Sequence, residues 1–547
     1  MEIIQGKAVS GGMAYGKIFL LGRQDYTAEH RQSAEDPQQE ILRFREGCRA
    51  LAAELDVLYS KTLEAIGESE AEIFSLHRMM LEEDTFTESV EEKICQGISA
   101  SDAVLDTGEA FAAMFAAMDN PYMQARDADI RSIARRLHEI LEGRTTELPV
   151  FTEPVILAAE DLTPAQTVDL KKDKVLGFIT ARGSTSSHTA ILARTLGIPA
   201  VTAAGTLSES LHGLEGILDG EQGTLYVDPD RQTINRFEQN RQNEEERKAR
   251  WETMRGHTCR TREGKAIRIY ANAGSLEDAA AAAAGDAEGI GLFRSEFLFM
   301  QYGRNPTEEE QYNTYREVLA HMPGKEVIIR TLDAGADKQI PWLPAGTAEA
   351  NPALGLRAIR LCLRYPELLR TQLRAMYRAA VHGKLCAMIP MITLPSELEQ
   401  VHAIAEEVRR SLEEEKIPFA PDMPLGIMIE TPSAALCAGT LAEKSAFFSI
   451  GTNDLTQYTM AADRENGALT YLTETIPESV KRLILMTTSA ATAAGIPVSV
   501  CGELAGEEHA IPFLVDAGVD KLSVSPGQVL KVRSAVQRHL DTREKAE

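Results

Sequence analysis

Five apolar runs in the second half of the chain each end in a residue able to do chemistry: Arg294, Arg330 with Asp333, Glu430, Asn453 with Asp454, and Cys501. Cations, carboxylates, an amide and a thiol are complementary types. A guanidinium presents a planar fork of donors that matches phosphate and carboxylate oxygens in pairs. Arg294, Arg330, Arg357 and Arg464 could therefore hold a small polyanion together. Arg357, inside NPALGLRAIR, could equally sit in a surface ion pair. Glu430 and Asp454 offer hard oxygens, and two carboxylates plus waters and substrate oxygens complete the octahedron that Mg2+ prefers. A pair of buried, salt-bridged acids would use the same two residues. Cys501 ends a strand in VSVCGELAG. The remaining cysteines, Cys48, Cys95, Cys259, Cys362, Cys386 and Cys437, read as inert core residues.

A second centre is GSTSSHTAILAR, residues 183–194. A glycine and four small hydroxyl residues precede His188, and an apolar helical pattern follows. That places His188 at or near a helix N-terminus, where backbone N–H groups and the helix dipole favour an anion. Ser186, Ser187 and Thr189 add hydroxyl donors. With an ordinary pKa near ~6.5, such an imidazole is mostly neutral and nucleophilic at pH 7 and could carry a phosphoryl group. A Ser-rich cap before a histidine can also be no more than a helix start. The other histidines lack this setting; His77 is the least clear of them.

The elements that must position these residues follow from periodicity. Residues 265–540 repeat one unit, a short apolar run, a chemical residue and a helical stretch: IRIYANAG, GIGLFRSE, EVIIRTLD, LCAMIPMI, PLGIMIET, AFFSIGTND, PVSVCGEL and DKLSVSP. Eight such strands with helical crossovers suggest a (β/α)8 barrel, whose active sites lie at the C-terminal strand ends. An open doubly wound sheet shares the periodicity. Residues 28–143 carry apolar residues at helical spacing (Ile41, Phe44, Leu51, Leu55, Leu58, then Ile73, Leu76, Met80) and read as a bundle of three or four antiparallel helices. Residues 1–27 and 144–230 read as one compact α/β domain, and the charged stretch 231–255 as a solvated linker helix. The barrel takes 256–547.

Composition narrows the class. The chain has 547 residues, enough for three or four domains, and a formal net charge of −25. Such a chain repels the phosphate backbone, which argues against nucleic acid as a partner. Seven cysteines without C-x-x-C spacing argue for reduced thiols and a cytoplasmic address. No apolar run approaches the ~20 residues that span a bilayer, and MEIIQGKAVSGGMAYG has neither a basic nor an apolar leader region.

Over nearly its whole length the chain resembles Enzyme I of the phosphoenolpyruvate-dependent sugar phosphotransferase system. SSHTAILAR is similar to that family's phosphohistidine motif. GLFRSEFLFM, RTLDAGADK, NPALGLRAIR, GIMIETPSA, SIGTNDLTQYTMAADR and CGELAG are similar to its barrel motifs in order, and IFSLHRMMLEEDTF to its helical partner-binding domain. The resemblance implies an α/β multidomain enzyme with a swivelling phosphohistidine domain, an inserted helical bundle and a (β/α)8 barrel. His188 would be the phosphorylated nucleophile. Arg294, Arg330, Arg357, Asn453, Asp454 and Arg464 would bind phosphoenolpyruvate, and Glu430 and Asp454 would hold Mg2+. Cys501 would handle the proton at the methylene carbon. The helical domain would dock the phosphocarrier protein HPr, and the barrels would join as a homodimer. Three departures stand out: Gly183-Ser184-Thr185-Ser186-Ser187 in place of two glycines, a basic residue and Thr-Ser; Gly335-Ala336 in place of a double glycine; and ENGALTYLTETIPESV without a proline-rich stretch. The altered loop before His188 leaves a catalytically weak, carrier-binding scaffold as the alternative. A phosphoenolpyruvate synthase or pyruvate phosphate dikinase would need an ATP-binding domain for which the helical insert is too small.

Overall fold

The computed structural model describes residues 1–21, 36–65, 68–117, 126–143, 149, 151–162, 166, 167, 170, 173–183, 188–302, 304–335, 340, 342, 349, 351–464, 466–472 and 476–546. The chain divides into two compact units, 1–243 and 244–547.

In the first unit, eight strands form one mixed sheet. They are β1 (Glu2–Gln5), β2 (Lys7–Ser10), β3 (Met13–Leu20), β4 (Val155–Ala159), β5 (Val175–Thr180), β6 (Ala200–Thr202), β7 (Glu215–Asp219) and β8 (Thr224–Val227), in the order β1-β8-β7-β3-β4-β5-β6-β2. The central β3, β4, β5 and β6 run parallel. Strand β4, VILAA, is buried throughout, as a parallel strand covered on both faces must be. Its alternation sends Leu157 and Ala159 to one core and Ile156 and Ala158 to the other. Strand β7 escapes a sequence reading because its apolar run is only two residues, Ile217 and Leu218, between Gly216 and Gly220.

Five helices, not three or four, make the bundle among the described residues: α1 (Pro37–Ala65), α2 (Glu68–Leu81), α3 (Asp84–Cys95), α4 (Ala100–Ala116) and α5 (Arg126–Leu141). Phe44, Leu51, Leu55 and Leu58 of α1 are buried against Phe74, Phe86 and Leu137, the stripe that 3.6-residue spacing demands. The extra break falls at Glu82-Glu83, where helix-favouring residues hide an extended Glu83 from any propensity argument. His77 is buried; its Nε2 lies 3.4 Å from Asp129 Oδ1, and Arg126 binds the other oxygen of Asp129 at 2.9 Å. Cys95 departs from the core reading: it is exposed, one residue beyond the apolar face of Phe86, Val90 and Ile94, while Cys48 and Cys437 are half-buried. Helix α6 (His188–Leu196) follows β5, and α7 (Arg231–Glu252) is almost wholly solvated, with Phe237 its buried residue.

The second unit is a closed barrel. A two-residue strand β9 (Cys259–Arg260) pairs antiparallel with β10 (Ala266–Ala273). After β10 come β11 (Gly289–Arg294), β12 (Glu326–Arg330), β13 (Lys384–Ile389), β14 (Leu425–Ile429), β15 (Phe448–Ile450), β16 (Val498–Val500) and β17 (Lys521–Val524). Each pairs parallel with the next, β17 pairs with β10, and β10 pairs with β11, so the eight strands close and the open sheet is excluded. Alternation sorts the side chains. Ile329, Ile427, Ile429, Phe448, Ile450 and Val500 pack outward beneath the helices. Leu292, Ile328, Met388, Met428 and Cys501 form a separate cluster in the lumen. No helix among the described residues is long and apolar enough to cross a membrane.

Candidate active site

Strand-end geometry brings the barrel candidates together. Arg330, the last residue of β12, points into the lumen and is buried; its Nη2 donates to Glu296 Oε1 at 2.6 Å, and Nη1 lies 2.9 Å from Asp333 Oδ2. Asp333 also accepts from Arg357 Nη2 at 3.0 Å, so one carboxylate bridges two guanidiniums. The Nη1 of Arg357 reaches Tyr458 OH at 3.1 Å and Asp454 Oδ1 at 3.4 Å. Arg357 is thus buried in the cluster and not in a surface ion pair. Gly335 makes this approach possible: its φ is +116°, and a Cβ there would stand 2.6 Å from the Cβ of Arg357.

Glu430, just past β14, is buried and accepts from the backbone N–H of Met391 at 2.5 Å. Met391 (φ 59°) and Ala358 (φ 50°), beside Arg357, both adopt left-handed backbone, the kind of local strain that clusters at functional sites. Burial, then the charges of Asp454 and Asp333, raise the Glu430 carboxyl well above the usual carboxylate range. For Arg330 and Arg357 burial opposes the charge, but the surrounding carboxylates outweigh it and both are held firmly protonated; Asp333 contributes most in each case. Four buried carboxylates (Glu296, Asp333, Glu430, Asp454) face two buried guanidiniums. A divalent cation would balance that excess and relieve the repulsion between Glu430 and Asp454. Among the described residues no group of three or more His, Cys, Asp or Glu side chains is placed to hold a metal ion, so an ion at Glu430 and Asp454 would need water and substrate oxygens as further ligands.

Cys501 follows β16. Its thiol is buried in the lumen, and burial pushes it up to about 11, with the Ser449 hydroxyl and Arg330 pulling the other way. At neutral pH it carries its proton. Gly502 lets the turn after Cys501 pack on the start of the helix Thr452–Met460, since a Cβ there would meet Thr452 Oγ1 at 2.0 Å. Asn453 Oδ1 closes that contact by accepting from the backbone N–H of Glu503 at 2.9 Å. Arg294, exposed at the end of β11, shares with Cys501 a cleft of about 470 Å³ that Asn272, Phe297 and Gln528 also line. Arg464 is exposed, and its backbone N–H donates to Gln457 Oε1 at 3.3 Å.

His188 is the first residue of α6. Residues 184–187, with Ser186 and Ser187, lie outside the described residues. Thr189 corrects the sequence reading: its hydroxyl donates to the carbonyl of Leu162 at 2.7 Å in the core, so it is spent on packing and not offered to an anion.

Several site groups escape the sequence. Glu296, in RSEF, and Tyr458, in TNDLTQY, orient the arginines, and Tyr458 is itself held by the carbonyl of Ala353 at 2.5 Å. Gln372 is fully buried and binds the backbone of Leu332, the Ser295 hydroxyl and the Tyr315 hydroxyl. Glu296 and Tyr458 follow recognised residues by two and four positions, which is the signal that could have found them. Gln372 lies in a helix with no such cue.

Three family models match the chain: the N-terminal part of phosphoenolpyruvate-utilising enzymes over residues 5–126, their mobile domain over 151–223, and their phosphoenolpyruvate-binding domain over 248–540. Among similar proteins, a phosphoenolpyruvate-protein phosphotransferase of Priestia megaterium is 39% identical over 98% of this chain and 96% of its own length. The protein of that name from Bacillus sp. (strain S) is 40% identical over 98% and 93%, and that from Bacillus subtilis (strain 168) 38% identical over 98% and 95%.

Proposed function

Because the chain belongs to the phosphoenolpyruvate-protein phosphotransferase family, we propose that it moves the phosphoryl group of phosphoenolpyruvate to His188 and then to a histidine of HPr, the first step of sugar uptake by the phosphotransferase system. The activity is phosphoryl transfer from phosphoenolpyruvate to a phosphocarrier protein, an enzyme reaction of the transferase class. The specific roles below are our reading of the residues.

Arg294, Arg330 and Arg357 hold the phosphate and carboxylate of phosphoenolpyruvate, with Asn453 and Arg464 at the rim. The two buried guanidiniums arrive already oriented by Asp333, Glu296 and Tyr458, so little reorganisation is left for the reaction. Glu430 and Asp454 would hold a divalent ion, Mg2+ in our reading, which would supply Lewis-acid stabilisation of developing negative charge. A ring nitrogen of His188 forms the N–P bond as the bridging P–O bond breaks in line. The enolate keeps the electron pair. Its methylene carbon then takes the proton of the Cys501 thiol to give pyruvate, and the thiolate regains a proton from water. In this reading the imidazole serves two sites in turn, the barrel mouth and the carrier, with α7 as a hinge; the connection near 143–155, the other expected hinge, lies partly outside the described residues. The helices α1–α5 dock HPr, and the barrel domains join as a homodimer in the cytoplasm. No observation favours the non-catalytic alternative.

The observation that carries this reading is the pair of buried arginines bridged by Asp333, opposite Glu430 and Asp454 and beside a protonated thiol. Incubation with 32P-labelled phosphoenolpyruvate and Mg2+ should give acid-labile, base-stable label on the parent and none on His188→Ala. Equal label on both would place the acceptor elsewhere.

A further inference from the structure

The lumen wall beneath Cys501 is polar where a barrel interior is usually filled by branched apolar side chains. Ser449, Ser499 and Ser523 are all buried, and their neighbours Phe448, Ile450, Val498, Val500, Leu522 and Val524 pack outward, so the three serines face the lumen. Asn272, the penultimate residue of β10, completes this wall. Its amide is fully committed: Nδ2 donates to the carbonyls of Cys501 and Ser523, each at 3.2 Å, and Oδ1 accepts from the Ser523 hydroxyl at 2.7 Å.

The bond to Cys501 matters because of where the ladder stops. Strand β16 pairs with β17 only as far as Val500 and Leu522. The Cys501 N–H is still held by the Ile450 carbonyl of β15 at 3.1 Å, but its own carbonyl is held by a side chain from β10, two strands away. Asn272 thus sets how far the Cys501 backbone leans into the cleft that both residues line. It does so with a neutral amide, which leaves the thiol its proton; a carboxylate or ammonium there would shift it.

We propose that Asn272, oriented by Ser523, is a positioning residue that places the Cys501 thiol for protonation of the enolate. This rests on the reading of Cys501 as the proton donor. A donor must stand about 2.6–3.2 Å from the atom it protonates, and a displacement of about 1 Å can cost 10²-fold. The hydrogen bonds of Asn272 go to Cys501 and Ser523 and to none of the phosphate-binding arginines or their carboxylates, so its loss should act mainly on proton delivery.

The test follows pyruvate release in a single turnover of the full chain with phosphoenolpyruvate and Mg2+, in H2O and D2O, for the parent, Asn272→Ala, Ser523→Ala and Cys501→Ala. Asn272→Ala is expected to slow release roughly 10- to 100-fold, to leave the half-saturating phosphoenolpyruvate concentration within about twofold, and to raise the solvent isotope effect. Ser523→Ala, the milder packing change, should move both readouts the same way by less. A tie of structural value alone would lower the melting temperature without touching the isotope effect. Parental rate and isotope effect in folded Asn272→Ala and Ser523→Ala, with Cys501→Ala crippled, would overturn this inference alone. A parental rate in Cys501→Ala would overturn the reading of Cys501 and this inference with it.

Discussion

The two flanks of the barrel mouth carry different chemistry. Along β12, β14 and β15 the strand ends are charged: Arg330, Asp333, Glu430 and Asp454, with Arg357 folded in over them. Along β16, β17 and β10 they are neutral: Cys501, Ser523 and Asn272. Stabilising phosphoryl transfer calls for fixed charges that need not move. Delivering a proton calls for an acid that keeps it until needed, and burial lets the Cys501 thiol do so although Arg330 and Arg294 pull the other way. The two flanks still meet electrostatically, since Arg330 and Glu430 of the charged side act on the thiol.

The charged flank should break hardest. Arg330→Ala is expected to cost roughly 10³-fold in kcat/KM and about 3–5 kcal/mol of stability, because a charge central to a buried network is removed while Glu296 and Asp333 stay buried. Steady-state kinetics with HPr and denaturant melts measure both, and a folded variant of near-parental stability would dissolve the idea of a charge network. Replacing Asp333 by Asn removes the bridge between two guanidiniums; we expect a loss of about 10²-fold in activity, with KM for phosphoenolpyruvate rising as both forks loosen. On the neutral flank, Cys501→Ala should lower turnover about 10²-fold while KM stays close to the parent value. If KM moved as much as kcat, the division between flanks would be wrong.

Alkaline pH gives a further separation. Burial pushes the thiols of Cys362 and Cys386 up to about 12 from an ordinary value of 9. The folded state then holds these protons more tightly than the unfolded chain. Their contribution to stability is fully present below pH 9 and is lost as pH rises to 12. Equilibrium unfolding of the parent against Cys386→Ala should therefore converge over that window. The smallest effect is expected at the histidine helix. Thr189→Val loses the bond to the Leu162 carbonyl and should cost about 1 kcal/mol, yet leave labelling by phosphoenolpyruvate unchanged. Lost label at unchanged stability would restore Thr189 as an anion donor.

Much of this was legible in the sequence. All eight barrel strands were, since an apolar run bounded by turn residues needs no partner to be recognised. So was the placing of Arg294, Arg330, Glu430, Asp454 and Cys501 at or just past strand ends, because those ends can be counted along the chain. Less was visible in the bundle, where Glu82-Glu83 ends one helix without a breaker residue, and in β7, whose run is too short to register.

What the sequence determined by itself is the kind and order of the chemical groups, since residue type and its distance from a strand end are both written in one dimension. The pairings were decided only in three. Asp333 serves Arg330 three residues away and Arg357 twenty-four away; Arg357 could have gone to solvent until the close approach at Gly335 drew it in. Thr189 was a donor beside an imidazole in sequence and became a donor to the core in space. Asn272 looked like any residue near the end of a strand until barrel closure set it against a carbonyl from residue 501. A hydrogen bond depends on where its partner stands, and for partners brought together only when the barrel closes, no local pattern carries that information.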